Sequence, residues 1–163
     1  MHTLKTGAAL MNQFYAIFRN PFLVTGLCSW LIAQILKTII HCIINKKLDI
    51  RRLYGDGGMP SGHSATVTSL AVISAMIYGA DSFEFAVTAI LAVIVCHDAM
   101  GVRLETGKQA VVLNDLLEII DMLTTEKVPE VRLKEFVGHT PTQVLAGILV
   151  GILNAILMYN ILY

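Results

Sequence analysis

The sequence predicts an all-α membrane protein, a polytopic helical bundle of about four transmembrane helices with amphipathic helices at the membrane surface. The chain of 163 residues is 55% hydrophobic and only 15% charged, whereas a soluble domain carries about 25% charged residues. Its apolar residues fall in blocks close to the roughly 20 that a membrane-spanning helix needs. Polar and ionisable residues collect at the ends of these blocks, mostly at one membrane face.

A single membrane domain is expected to account for the whole chain, because this length fits one domain. Proline opens the first and last apolar blocks, which suits a helix start because the missing N–H would have no partner there. The four predicted spans are residues 21–44, 61–79, 83–102 and 141–163.

Amphipathic helices are predicted outside the spans. Over residues 107–124, apolar residues recur at helical spacing, so this cytoplasmic segment either lies on the membrane or packs over the spans. A short interfacial helix is expected at residues 8–18, which are not followed by a signal-peptide cleavage pattern. The apolar positions of the longer segment are Val112, Leu116, Ile119, Ile120 and Leu123.

Basic residues indicate the orientation of the chain. Lys46, Lys47, Arg51 and Arg52 crowd the first connection, while the connection at residues 80–82 has no Lys or Arg. The positive-inside rule then places the first and third connections in the cytoplasm, with the chain in the cell's inner membrane. A net charge of zero gives no indication of nucleic-acid binding.

The cysteines do not indicate a disulfide framework. Cys28, Cys42 and Cys96 all lie inside apolar blocks and are interpreted as small buried hydrophobic residues. His97 and Asp98 could suggest a metal-binding pair, but further histidines at ligand spacing are missing. Neither a metal nor another cofactor is predicted.

Four-span topology brings four helix ends to the same membrane face. These are the end of the first span, the start of the second, the end of the third and the start of the fourth. Each end is rich in residues that bind or transfer phosphate, which predicts a site at this face. The four clusters are residues 46–52, 57–63, 97–103 and 138–141.

The strongest of these clusters is Gly57-Gly58-Met59-Pro60-Ser61-Gly62-His63. Glycines let the backbone approach a ligand closely, and the helix N-terminus that follows offers free N–H groups to an anion. Ser61 adds a hydroxyl, and His63 can exchange a proton near neutral pH. The alternative is a glycine loop with a capping serine and an interfacial histidine.

A second histidine, His139, stands just before the last span, with Arg132 upstream. Neutral imidazole is a competent nucleophile toward phosphorus, and arginine can hold phosphate oxygens in bidentate fashion. Lys37 is a further candidate because an ionisable residue about two turns inside a span is costly. Its alternative interpretation is a side chain that extends to the interface.

These residues resemble the type 2 phosphatidic acid phosphatase superfamily, and more closely its divergent, short bacterial and plant branch. The superfamily's Pro-Ser-Gly-His motif is present as Pro60 to His63, and Gly138 to Gly147 matches the second half of its third motif. The resemblance covers about residues 20–163. The stretches that resemble the divergent branch specifically are Asp98 to Arg103, Gly107 to Ala110, and Leu113-Asn114.

The resemblance implies metal-independent phosphoester hydrolysis through a phosphohistidine. His139 would attack phosphorus and His63 would protonate the leaving oxygen. A lipid phosphate is the expected substrate, because apolar walls around a charged pocket at headgroup level suit one. The groups expected to hold the phosphate charge are the Ser61 and Gly62 amides with Lys37, Lys47, Arg52, Arg103 and Arg132.

Departures from the family pattern bear on activity. The first motif lacks its proline, the arginine of the third motif is one place early, and Gln143 stands where an aspartate orients the histidine. An amide can hold imidazole but cannot stabilise imidazolium as a carboxylate does. Asp98 could replace that carboxylate by binding His139 or His63. It could equally pair with Arg103.

The superfamily usually has more spans than this chain. The missing helices leave an apolar flank that a second copy could cover, so a homodimer surrounded by membrane lipids is expected. Two other functions stay open. One is a binding or transport protein that retains the anion pocket without turnover, and the other is a structural membrane subunit whose polar residues only stabilise helix ends.

Overall fold

The computed structural model describes residues 14–46, 58–123, 133 and 138–163. These residues are 86% helical, with no strand among them, which confirms the predicted all-α class. A helical stretch at residues 14–18 precedes the long helices. In chain order these are α1 (Pro21–Asn45), α2 (Gly62–Tyr78), α3 (Phe83–Met100), α4 (Val102–Leu123) and α5 (Pro141–Leu162).

Local polar caps explain where these helices begin. Each N-cap side chain accepts a hydrogen bond from a backbone N–H of the first turn, which would otherwise have no partner. The start of each predicted apolar block therefore lies within one residue of an observed helix start. The caps of α1, α2, α3 and α5 are Asn20, Ser61, Ser82 and Thr140.

Three helical stretches in the described part of the chain are long and apolar enough to cross a membrane, against about four predicted spans. They are Pro21–Asn45, Phe83–Leu123 and Pro141–Leu162, the second of which includes both α3 and α4. The predicted second span forms α2, whose 17 residues are at the lower limit of about 17–25 for a crossing.

The central helix of the bundle is α2, which contacts α1, α3 and α5. Small residues allow α5 to approach its backbone. A Cβ atom built on Gly147 would lie 2.5 Å from the carbonyl oxygen of Ser61, and one on Gly151 would lie 2.5 Å from that of Ala65. The two glycines have the small-xxx-small spacing of closely packed membrane helices. Side chains there would force the helices apart.

A buried side chain also joins α5 to α1. Asn154 is 5% exposed, and its Nδ2 donates to the Thr25 carbonyl oxygen at 3.2 Å and to the Ser29 Oγ at 2.7 Å. Interhelical hydrogen bonds in membranes contribute about 0.6–2 kcal/mol. This pair of bonds aligns two helices that are far apart in the sequence.

A small apolar core lies where α2, α3 and α5 converge. Val67, Cys96, Ala99 and Val144 form it, one from α2, two from α3 and one from the first turn of α5. Because Ala99 and Val144 stand close in sequence to Asp98 and to the start of α5, this packing supports the end of the bundle where the predicted site lies.

The amphipathic helix α4 begins after the turn at Gly101, five residues before the start of the predicted segment at residue 107. Gly107 and Ala110 on one side of α4 are buried. The apolar residues on its opposite side are exposed. These residues are Val112, Leu116, Ile119 and Leu123.

Candidate functional site

His63 and His139 come together at one end of the bundle. Their ring centroids are 6.3 Å apart and their planes meet at 84°. His63 is the second residue of α2 and is exposed, whereas His139 directly precedes the N-cap of α5 and is 5% exposed. The fold therefore pairs one buried imidazole with one accessible imidazole.

The backbone holds His139 on both sides. Its N–H donates to the carbonyl oxygen of Ala99 at 3.0 Å, in the last turn of α3. The next residue, Thr140, caps α5. Asp98 is partly buried and adjoins Ala99 in the chain. The structure thus brings the end of α3, with Asp98, to the start of α5, as the topology predicts.

Gln143, at the position of the family's orienting aspartate, stabilises the helix start. Its Oε1 accepts the Thr140 N–H at 3.1 Å, and its own N–H donates to the Thr140 Oγ1 at 3.4 Å. These reciprocal bonds form a capping box. The amide oxygen that could have oriented the imidazole of His139 is therefore bonded to the Thr140 backbone.

Ser61 is fully buried and links α2 to α5. Its N–H donates to the Gln143 carbonyl oxygen at 3.0 Å, and its Oγ accepts from the N–H and the Oγ of Ser64 at 3.3 and 3.0 Å. The Ser61 amide, expected to hold phosphate, is thus already bonded. In the described residues, the first-turn N–H groups of Gly62 and His63 donate to no other group, as is usual at a helix start.

Lys37 reaches this end of the bundle from α1. It is 5% exposed, and a Cβ atom built on Gly58 would lie 3.2 Å from its Cγ and 3.3 Å from its Cδ. Gly58 also has a φ of +84°, a left-handed conformation that favours glycine. The lysine stem therefore packs directly against the glycine loop that leads into Ser61.

Of the other basic candidates, only Arg103 lies in the described residues, as the second residue of α4. The remaining three candidates, which are named at the end of this paragraph, lie outside the described residues. Among the described residues, no group of three or more His, Cys, Asp or Glu side chains is placed to hold a metal ion. The three outside the described ranges are Lys47, Arg52 and Arg132.

An apolar cleft of about 460 Å³ opens beside His63 between α1, α2 and α3. This volume lies within the roughly 300–1,000 Å³ of small-molecule sites. Its walls are almost entirely apolar, and the His63 imidazole is the ionisable group among them. The lining residues are Gly26, Leu27, Trp30, His63, Thr66, Val67 and Val95.

Two features near the site were not predicted from the sequence, although one has a readable signal. The Gly147-xxx-Gly151 spacing is a known signature of close helix packing. Trp30 has no such signal, because an aromatic residue in an apolar span is ordinary. Its contact with Gly62, where a Cβ would lie 3.3 Å from the indole Cδ1, depends on tertiary packing.

Sequence comparison agrees with the geometry. Residues 18–154 match the Divergent PAP2 family. The chain is 41% identical over 153 residues to the uncharacterized membrane protein YuiD of Bacillus subtilis (strain 168). The aligned region covers 87% of this chain and 96% of that protein. No solved structure matches. The matched region includes both histidine motifs, and the chain therefore belongs to the Divergent PAP2 family, as those motifs predicted.

Proposed function

We propose that this protein is a phosphatase or phosphotransferase, embedded in the membrane, that acts on a lipid phosphate through His139. The observation that carries the proposal is the pair of imidazoles 6.3 Å apart beside a helix N-terminus with open amides. Membership of the Divergent PAP2 family supports phosphatase-like chemistry in general terms.

The separation of the two rings suits a phosphoryl group. A nucleophilic nitrogen of His139 needs to approach phosphorus to about 3 Å. A nitrogen of His63 needs to lie within about 3 Å of the ester oxygen on the opposite side. To meet both conditions, a tetrahedral phosphate must enter between the two rings, whose centroids are 6.3 Å apart.

The reaction takes place in two displacements. A neutral ring nitrogen of His139 forms a bond to phosphorus while the bond from phosphorus to the ester oxygen breaks, and His63 gives its proton to that oxygen. Water then attacks the phosphohistidine and loses a proton to His63, which releases phosphate and frees His139. An alcohol in place of water makes the same site a phosphotransferase.

Fixed donors hold the negative charge. The N–H groups of Gly62 and His63 at the start of α2 are in place before the substrate binds, which is the arrangement that stabilises a transition state most effectively. Lys37 supplies a positive charge from beneath the glycine loop. No metal ion is needed in this scheme.

The cleft supports a lipid as the leaving group. In an in-line displacement the leaving oxygen lies opposite the nucleophile, and therefore on the side of His63. On that side the structure has the apolar cleft. The departing alcohol is therefore expected to carry a hydrocarbon chain that occupies this cleft. A water-soluble phosphate ester would leave this cleft unfilled.

One observation favours a second function, binding or transport of a lipid phosphate without turnover. The Gln143 amide forms the capping box and does not replace the family's carboxylate. An amide stabilises an imidazolium less than a carboxylate does, and a site that binds phosphate can lose hydrolysis while it keeps affinity.

The proposal includes an orientation and an assembly. Lys46 is the C-cap of α1 and lies at the same end of the bundle as the histidines. By the positive-inside rule, this end faces the cytoplasm, on the inner side of the inner membrane. The outer face of α3 exposes large apolar side chains, including Ile90 and Val93. We place the second copy of a homodimer there.

The test is phosphate release from a panel of lipid phosphates by the purified protein in nanodiscs, with a chelator present. His139→Ala is compared with His97→Ala, a matched control because His97 is exposed near the same end of the bundle. We expect release by wild type and His97→Ala, an acid-labile phosphoprotein intermediate, and loss of both in His139→Ala. Release that survives His139→Ala would refute the mechanism, and tight binding without release would support the second function.

A further inference from the structure

One buried side chain of α1 has an oxygen atom that bonds to nothing. Gln34 is 6% exposed, and its Oε1 has no hydrogen-bond partner in the described part of the chain. A buried polar atom without a hydrogen bond destabilises the folded protein, and such atoms are uncommon. The Gln34 oxygen is therefore a candidate for an atom that is bonded only when a ligand is present.

Contacts on either side of Gln34 place it beside the start of α2. One turn earlier, Trp30 lies against Gly62, where a Cβ atom would be 3.3 Å from the indole Cδ1. One turn later, the Lys37 Cγ would be 3.2 Å from a Cβ atom on Gly58. Residues four before and three after Gln34 share its helix face. Gln34 is therefore level with the segment between the two glycines, where α2 begins.

The same side of α1 forms one wall of the apolar cleft. Leu27 and Trp30 line this cleft, and His63 lines it from α2. Leu27 stands seven residues before Gln34, a spacing that keeps two residues on one helix face. At about 1.5 Å per residue, Gln34 lies roughly 6 Å beyond Trp30 along the helix. The amide thus follows the apolar wall at the end where the open amides of α2 lie.

The fixed groups expected to hold a phosphate at this helix start are donors. The N–H groups of Gly62 and His63 are unbonded in the described structure, and the Lys37 ammonium has no acceptor. A phosphate monoester with one negative charge retains a P–O–H group, whose proton needs an acceptor. The Gln34 Oε1 supplies one. A phosphate diester of the same charge has no P–O–H group.

We propose that Gln34 is a further phosphate-binding residue, whose Oε1 accepts a hydrogen bond from the P–O–H group of a phosphate monoester. This rests on the proposed function for the presence of a phosphate at the start of α2, whereas the unbonded oxygen and its position do not. The bond makes the site selective for monoesters, because a diester brings no proton to this oxygen. Gln34 determines specificity and takes no part in the bond changes at phosphorus.

The test compares two lipids of equal charge. At about pH 5, below the second phosphate pKa of about 6, dihexanoyl phosphatidic acid and dihexanoyl phosphatidylmethanol are both monoanions, and only the first has a P–O–H group. Isothermal titration calorimetry measures their binding to the protein in nanodiscs. We expect Gln34→Met to weaken phosphatidic acid binding about tenfold, which corresponds to one hydrogen bond, and to leave phosphatidylmethanol binding unchanged.

The matched control is Thr25→Val on the same helix. Thr25 is fully buried, and its Oγ1 also has no hydrogen-bond partner in the described residues, but it is not part of the cleft lining. This variant should bind both lipids as wild type does. Each substitution removes an unbonded buried oxygen, so the unfolding temperature should not fall in either variant.

Three outcomes would overturn the proposal. Unchanged phosphatidic acid binding in Gln34→Met would show that the oxygen binds no phosphate. Equal losses on both lipids would remove the selectivity, and with a lower unfolding temperature they would give Gln34 a structural role. Wild type that binds neither lipid would refute both proposals. Because binding needs no turnover, a wild type that binds the lipids but releases no phosphate refutes only the proposed hydrolysis.

Discussion

The starts of α2 and α5 are built from similar residues and differ in what they leave open. Each has a hydroxyl N-cap with a histidine within two residues of it. At α2 the amides of Gly62 and His63 are unbonded in the described structure. At α5 the proline at N1 has no N–H, and the capping box uses the Gln143 N–H and the Thr140 N–H.

The difference indicates that the two helix ends have different roles, anion binding at α2 and stabilisation of the helix start at α5. The open end of α2 can receive an anion, since its donors are free and its dipole favours negative charge. The end of α5, here called the closed end, has one such donor fewer, because Pro141 has no N–H and only the Thr142 N–H is unbonded in its first turn of the described structure. The bond from the Ser61 N–H to the Gln143 carbonyl oxygen joins the two ends, so backbone contacts set the distance between the histidines.

The largest effect should come from separating the roles of the two histidines. His63→Ala should lower hydrolysis of a lipid phosphate by about 10²–10⁴-fold, the usual contribution of general acid catalysis. With a p-nitrophenyl ester, whose leaving group needs no proton, the loss should be small. His139→Ala should abolish both reactions. Steady-state rates on the two substrates give the comparison, and equal losses for His63→Ala on both would contradict its role as the acid.

The contact between α2 and α5 can be broken directly. Gly147→Ala and Gly151→Ala should each destabilise the protein by about 1–3 kcal/mol, the usual cost of overpacking, because the new Cβ would meet a backbone oxygen at 2.5 Å. Thermal unfolding in detergent, followed by circular dichroism, measures this. Leu149→Ala, on the exposed side of α5, is the control and should be close to neutral.

The open end of α2 can be closed by one substitution. Gly62→Pro removes a donor at the first helical position, where proline is tolerated. We expect a rise in KM of about tenfold, since a hydrogen bond to a charged group is lost. Gly62→Ala retains the N–H and controls for the added Cβ, which meets Trp30 at 3.3 Å. An equal KM in both variants would show that this amide does not hold the phosphate.

The smallest effect is expected at the closed end. Gln143→Ala should cost about 1 kcal/mol of stability through the loss of the capping box. It should lower kcat less than tenfold, since the Gln143 amide bonds to Thr140. Unfolding and turnover are measured on the same preparation. A loss of turnover near 10⁴-fold, as for removal of a triad carboxylate, would assign Gln143 to the orientation of His139.

Local signals in the sequence were enough to predict the helices and the pairing of the two motifs. The prolines at 21 and 141 and the capping serine Ser61 can be recognised in the sequence because each acts within one helical turn. The proximity of His63 to His139 follows from the order of the helices. The Thr140-to-Gln143 capping box also has a sequence signature, a threonine followed three residues later by a glutamine.

Features that depend on contacts between helices could not be predicted. The packing of Lys37 against Gly58 depends on tertiary contacts that the sequence does not indicate. The bond from Ser61 to Gln143 joins two backbone groups. Because nearly every residue type has these groups, the sequence does not indicate the bond. The two hydrogen bonds between the Asn114 side chain and the Leu133 backbone similarly involve a backbone partner of any identity.

The contact between Trp30 and Gly62 has a practical consequence. Trp30 is the one tryptophan of the 163 residues, and its indole lies against the start of α2 and along the wall of the apolar cleft. Indole emission responds to nearby charge and to the exclusion of water. Phosphate arriving at the Gly62 amide, or a hydrocarbon chain entering the cleft, should therefore shift the fluorescence of a single defined reporter. The protein has a built-in optical signal with which ligands can be titrated without a label.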